Sequence, residues 1–189
     1  MEPAEATPSD LDLIRAFAKG ERVALAALAE RYEGPLLGMA LALMQRRRDV
    51  AADAVQDTWV RVIRHAASFD GRSSVKTWLY RILINRCNDL RIDAERRDRL
   101  PARAAAAGQV SAEPVEPGPT NEARTALTEH LLGLPSDQRT VLLLCYHADM
   151  SHAQAADILG IPIGTLKSRL HAALTALRTA LATRQEQTR

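Results

Sequence analysis

Four prolines fall between Pro101 and Thr120, in the run Pro-Ala-Arg-Ala-Ala-Ala-Ala-Gly followed downstream by Glu-Pro-Val-Glu-Pro-Gly-Pro. Proline lacks the backbone donor and clashes with the preceding turn, so no continuous helix crosses this stretch, and nothing bulky is present to bury. The chain is therefore divided. Residues 101–120 read as a flexible linker, and helical periodicity resumes on both sides of it. Glu113 and Glu116 would suit a segment lying in a basic channel, and plain solubility accounts for them equally well.

A chain of 189 residues accommodates one domain or two small ones. Ala and Leu dominate the apolar fraction and aromatic residues make up 4%, a balance that favours helices over a β-rich core. The expected fold is all-α, with two small helical domains at 10–100 and 121–184 and a disordered segment at 1–9. A formal charge of +2 is too small to argue for nucleic-acid binding, so local charge must carry that case. After Asp157 the only acid is Glu186, against Lys167, Arg169, Arg178, Arg184 and Arg189. The start, Met1-Glu-Pro-Ala-Glu-Ala-Thr-Pro, lacks the charged and apolar regions of a signal peptide, and no window has the roughly 20 apolar residues that span a bilayer. A cytoplasmic protein without membrane insertion is expected. Cys87 and Cys145 have neither CxxC nor zinc-ligand spacing and read as reduced packing residues, with no metal or other cofactor expected.

The densest pattern lies between Asp49 and Arg91. Ala51, Ala54, Val55, Thr58, Val62 and Ala66 recur at helical spacing and predict one amphipathic helix over Asp49 to His65. Asp53, Gln56, Asp57, Val60, Arg61 and Arg64 fall on its other face. A Gly- and Ser-containing loop follows, and then a second helix from Ser74 to about Ile92 with Val75, Leu79, Ile82, Leu83 and Leu90 as its apolar stripe. Tyr80, Arg81, Asn85, Asn88 and Arg91 point elsewhere, a mixture of donors, cations and an aromatic that suits unstacked bases and phosphates.

Around this pair, Ser9 or Asp10 caps a short helix that stops at Gly20. The run from Glu21 is helical until Pro35, which should kink or restart it, and Arg46-Arg-Arg48 reads as a solvated basic corner. Beyond the linker, Ser136 or Asp137 is expected to cap a helix through Val141 and Leu144. Ser151 to Leu159 forms another helix, ended by Gly160, and Pro162 suits the first turn of a last helix reaching about Thr183. Short helix, glycine-containing turn and long basic helix make a helix-turn-helix. Ala155 and Ala156 let the two helices approach, and Leu166 and Leu170 anchor the second. Its Thr165, Lys167, Ser168, Arg169 and His171 then lie near the end that faces the major groove.

Asp53-Ala-Val-Gln-Asp-Thr-Trp59, Phe69, Thr77-Trp-Leu-Tyr-Arg-Ile-Leu-Ile-Asn85 and Asp89-Leu-Arg91 resemble the central region of extracytoplasmic-function sigma factors, promoter-recognition subunits of bacterial RNA polymerase. Leu134-Pro-Ser-Asp-Gln-Arg139, Ile158-Leu-Gly160 and Gly164-Thr-Leu-Lys-Ser-Arg-Leu-His171 resemble the fourth region of the same family. The resemblance runs from about Leu11 to Leu181 and implies a protein without catalytic residues, which lends promoter specificity to core polymerase and helps open DNA. Its implied partners are core polymerase, through the β′ clamp helices and the β flap, promoter DNA in double- and single-stranded form, and an anti-sigma factor.

Residue by residue, the resemblance implies that Asp53, Gln56, Asp57, Val60, Arg61 and Arg64 dock on the clamp helices. Spacing alone leaves that face between docking and a solvated surface with an Asp57–Arg61 pair, worth about 0.3 to 0.5 kcal/mol. Ser68, Phe69, Asp70, Arg72 and Ser73 would capture a base flipped from the minus-ten element, with Lys76, Tyr80, Arg81 and Asn85 tracking the strand. By itself Phe69 reads as a seal on the bundle, and Trp78 as core. Thr165, Lys167, Ser168, Arg169 and His171 would touch the minus-thirty-five element. Ala172 departs from an arginine in many relatives, which removes a contact of roughly 1 to 3 kcal/mol if that arginine reads a base.

Two other readings compete. A core-independent regulator would bind duplex DNA as a dimer through the helix-turn-helix, leaving the Asp53 to Arg64 face without a role. A metal or redox sensor built on Cys145, His147 and His152 is opposed by geometry, since residues two apart on a helix point about 200° from each other. No nucleophile, base and orienting group form a hydrolase motif.

Overall fold

The computed structural model describes residues 7–99 and 122–187. The expected linker at 101–120 and most of the segment expected to be disordered, residues 1–6, lie outside the described residues. Among the described residues eight α-helices follow one another: α1 (Asp10–Ala18), α2 (Arg22–Leu43), α3 (Arg48–His65), α4 (Val75–Arg99), α5 (Glu122–Gly133), α6 (Ser136–Leu142), α7 (His152–Leu159) and α8 (Ile163–Gln187). There is no strand among the described residues.

In the first helical unit, α2 and α3 pack on α4, and α1 closes one side. Ile14, Leu28, Leu36, Met39, Val62, Leu79 and Leu83 are essentially inaccessible and form its core. Ser9 caps α1 by accepting a hydrogen bond from the Asp12 amide, as its sequence position suggests. The helix does not restart at Pro35: α2 runs through it. Proline removes one intrahelical bond, but Leu28 on one side and Leu36 and Met39 on the other are fully buried and hold both halves to the same core. Just before the proline, Asp10 ties α2 to α1: Arg31 Nη1 donates to Asp10 Oδ1 at 2.8 Å, and the Tyr32 hydroxyl donates to Oδ2. Burial and this hydrogen bond push the Tyr32 phenol pKa upward.

In the second unit, α6 and α7 pack on α8 over Val141, Leu144, Ala155, Ile158, Leu166, Leu170 and Ala173. The cap expected from Ser136 or Asp137 is instead Pro135, with no side-chain hydrogen bond, and the helix begins at Ser136. Arg139 is 4% exposed and ties that corner together. Its Nη2 donates to the carbonyls of Leu132 and Leu134 at 2.8 and 2.9 Å, satisfying groups that the end of α5 leaves open. A π-helical turn over Leu143–His147 ends α6.

The two units touch. Helix α4 lies against α7 and α2 against α6. Arg139 Nη1 reaches the Ala42 carbonyl at 3.4 Å, and His147 Nε2 lies 3.4 Å from the Pro35 carbonyl.

Candidate nucleic-acid interface

The connection between α3 and α4 is shaped by short polar side chains. A three-residue 3-10 turn, Ala66–Ser68, continues α3, and the Ser68 hydroxyl donates back to the His65 carbonyl at 2.9 Å. Asp70 Oδ1 then accepts from the Arg72 amide at 3.0 Å across Gly71, whose φ of 73° is a conformation that favours glycine. Ser74 Oγ accepts from the Thr77 amide at 3.0 Å and so starts α4.

This framework opens a cavity of about 440 Å³. Ser68, Phe69, Asp70, Arg72, Ser73 and Arg81, all singled out from the sequence, line it together. Phe69 and Trp78 meet there with ring centroids 5.0 Å apart and planes tilted by 41°. Trp78, read from the sequence as core, is half-buried and forms part of the wall. Asp157 lines the same cavity although it belongs to α7, and its carboxylate lies 2.5 Å from Arg81 Nη2. The place of Asp157 does not follow from local sequence, because only tertiary packing brings α7 onto α4.

Tyr80 is a correction. It was expected to track a single strand, but it is 1% exposed and lies in the core beside Leu79, Leu83 and Ile84. Helix α4 touches α1, α2 and α3, so its buried face is wider than a single apolar stripe and takes in Thr77, Tyr80, Ile84 and Cys87. Burial pushes the Tyr80 phenol pKa upward. Lys76 is half-buried and Asn85 exposed, and neither lines the cavity.

On α3, Asp53, Gln56, Arg61 and Arg64 are exposed, while Asp57 and Val60 are half-buried. Asp57 pairs with Arg86 of α4, at 2.5 Å from Nε, in a close ion pair that lacks hydrogen-bond alignment. Arg61, the partner weighed from spacing, lies 3.9 Å from Asp89 instead. Trp59, which the sequence reading left without a role, borders a cavity of about 380 Å³ with Glu33, Leu37, Ala52, Val55 and Gln56. Its indole Nε1 is buried without a hydrogen-bond partner among the described residues.

The helix-turn-helix forms as its local signals dictate. Ser151 and Gln154 make a reciprocal capping box at the start of α7, and Gly160 ends it at φ 63°. Along α8, Lys167, Ser168 and His171 are exposed, whereas Thr165, Arg169 and Ala172 are half-buried. The Ser168 hydroxyl donates to the Thr165 carbonyl, and Arg169 Nε lies 3.3 Å from Asp137.

Residues 28–97 match the family model for sigma-70 region 2, and residues 124–177 match that for sigma-70 region 4. The chain is 30% identical over 181 residues to the ECF RNA polymerase sigma factor SigW of Bacillus subtilis, covering 89% of this chain and 94% of that protein. With SigM of Mycobacterium tuberculosis it shares 33% identity over 165 residues, 85% of this chain and 79% of the relative. The chain belongs to the extracytoplasmic-function sigma factors. Among solved structures, the sigma factor RpoE in complex with the anti-sigma factor NepR from Bartonella quintana superposes with a TM-score of 0.61 at 26% identity, covering 89% of this chain and 98% of RpoE. CnrH in complex with the cytosolic domain of CnrY gives a TM-score of 0.67 at 24% identity, with 93% and 99% coverage, and shares the fold.

The region 2 match of this sigma factor contains the α3 face and the lining of the loop cavity other than Asp157, and the region 4 match contains the helix-turn-helix. Its thiols are not poised for chemistry: burial pushes Cys87 up to about 12 and also raises Cys145. Among the described residues no group of three His, Cys, Asp or Glu side chains is placed to hold a metal, and no helix is long and apolar enough to cross a membrane.

Proposed function

We propose that this sigma factor, acting in the cytoplasm and without catalysis of its own, directs core RNA polymerase to promoters by three surfaces. Residues 10–100 serve as the unit for polymerase binding and minus-ten recognition, and residues 121–184 as the unit for the minus-thirty-five element. The exposed Asp53, Gln56, Arg61 and Arg64, with half-buried Val60 and Asp57, dock on the clamp helices of β′. Charged and amide groups there set register and encounter rate more than net affinity.

The observation that carries the reading is the loop cavity, which an aromatic pair, two arginines and two serines line together. A base lifted out of the duplex has a π-face to stack and an edge to hydrogen-bond, and unpairing it costs a few kcal/mol. A cavity that rewards one extruded base therefore couples melting to selectivity. Asn85 and Lys76 lie along α4 for the strand beyond it, and Lys167, Ser168, Arg169 and His171, with Thr165 at the start of α8, meet the duplex. An anti-sigma factor is the proposed regulator, as in the RpoE–NepR complex. A dimeric duplex-binding regulator would leave the cavity and the α3 face unused.

Run-off transcription with bacterial core polymerase, on the promoter upstream of the chain's own gene, tests this. Asp53→Ala with Gln56→Ala is the cleaner docking variant, because Asp57→Ala would strand Arg86, whose side chain is 25% exposed. Transcripts that depend on the chain and drop in the double variant are expected. A footprint by the chain alone on duplex DNA, with no core-dependent transcript, would overturn the proposal.

A further inference from the structure

We infer that one small inorganic anion of halide size binds between Arg139 of α6 and Arg91 of α4, as the counter-ion of the buried Arg139 guanidinium. At 4% exposure Arg139 is the most deeply buried charged side chain among the described residues. Its guanidinium carries five N–H donors and makes three hydrogen bonds, to the carbonyls of Ala42, Leu132 and Leu134. Among the described residues its buried Nε has no hydrogen-bond partner, and no carboxylate pairs with it. The three carbonyls bring dipoles and no net charge. A buried charge is costly unless an opposite charge and further hydrogen bonds compensate it.

The surroundings decide the chemistry of the partner. Cys87, Asn88 and Arg91 of α4 and Ser136, Arg139 and Thr140 of α6 line one small cavity, so its lining holds two arginines and no acid. The Cys87 thiol supplies no charge, since burial pushes its pKa up to about 12 and keeps it neutral. Burial, and after it the Arg91 charge, push the Arg139 pKa down, the direction expected of like charges in a poorly hydrated place. Asn88 and Ser136 add a neutral amide and a hydroxyl, and the Thr140 hydroxyl is already committed to the Ser136 carbonyl at 2.7 Å. Cations and neutral donors select an anion over a metal ion. The cavity offers about 10 Å³, room for a single water-sized particle, which excludes phosphate, sulfate and organic carboxylates. A water molecule fits the same space but leaves both charges uncompensated. A halide is little larger than water, accepts from several donors at once and carries the opposite charge.

Chloride is the probe. Thermal unfolding of the full chain is followed by circular dichroism at constant sodium concentration while chloride replaces gluconate. An ion held by the folded chain alone raises Tm as its concentration grows, and a rise of roughly 2 to 4 °C is expected for the parent. Arg91→Gln removes one of the two cations, on a side chain 40% exposed, and should fold while losing most of that rise. Asn88→Asp builds a carboxylate into the cavity wall and should melt in gluconate as the parent does in chloride, with no further response to chloride. Crystals soaked in bromide should show an anomalous peak between Arg91 and Arg139. Equal rises in the parent and in Arg91→Gln would trace the effect to salt in general and overturn the inference, as would an Asn88→Asp chain that gains from chloride as much as the parent. Identical melting of the parent in both salts would also overturn it, whether water takes the place or a bromide peak reports binding at crystal concentration only.

Discussion

The two candidate DNA-contacting regions are built on opposite plans. The helix-turn-helix presents its polar residues from the outer side of one helix, α8, whose buried Leu166, Leu170 and Ala173 sit directly beneath them. The loop cavity gathers side chains from a turn, from α4 and from α7 around a hollow. A convex site on one helix inherits its geometry from the helix, so it stands or falls with the packing below. A concave site made from several elements can lose its chemistry while every element stays folded.

The sharpest way to break that contrast is to remove packing beneath the first site. Leu166 is fully buried in the second unit, and Leu166→Ala should cost about 2 to 5 kcal/mol, the range for emptying a leucine site in a core. Urea denaturation followed by circular dichroism should show an earlier loss of helix, and binding to duplex promoter DNA should fall with it. Loss of duplex binding at unchanged stability would mean that Leu166 acts at the interface rather than under it.

The cavity should respond in the reverse manner. Phe69 is half-buried and packs on Trp78, so Phe69→Ala should leave the folded helices in place. Stacking of a base on an aromatic side chain is worth about 1 to 3 kcal/mol, which sets the expected loss in single-strand binding and in promoter opening. Permanganate footprinting of the melted region in the polymerase complex checks the opening step. A variant that opens promoters normally but denatures early would make Phe69 the seal on the bundle that its position alone suggests.

The same contrast explains what could be read without coordinates. Ser9, the Ser151–Gln154 capping box and Gly160 act on neighbours within four residues, so the start of α1 and both ends of α7 follow from sequence. The apolar faces of α3 and of α7 follow from periodicity for the same reason. Tyr80 escaped because the width of a buried face depends on how many helices surround it, and α4 packs against α1, α2, α3 and α7. Asp57 escaped because its partner, Arg86, is on another helix, and Asp157 because its partner is 76 residues away. Pro35 does not break α2, since the core on both sides of it outweighs one missing hydrogen bond.

The smallest expected effect separates geometry from charge inside the cavity. Asp70 does two things: its Oδ1 accepts the Arg72 amide that shapes the turn, and its Oδ2 lies 3.2 Å from Arg72 Nε. Asparagine keeps an acceptor oxygen for the amide and gives up the charge, so Asp70→Asn should hold the turn, with stability changed by no more than about 0.5 kcal/mol. The Arg72 side chain, 89% exposed, would then be released from its carboxylate and free to pair with phosphate. Single-strand binding should tighten slightly, and its dependence on salt should steepen as one more cation neutralises the backbone. Anisotropy titrations across a salt series, compared with Asp70→Ala, provide the check. If Asp70→Ala matches Asp70→Asn in both slope and affinity, the turn does not need its side-chain acceptor and the loop is held by Gly71 and Ser74 alone. If Asp70→Ala binds more weakly than the parent while Asp70→Asn binds more tightly, the acceptor shapes the cavity and the charge opposes its ligand.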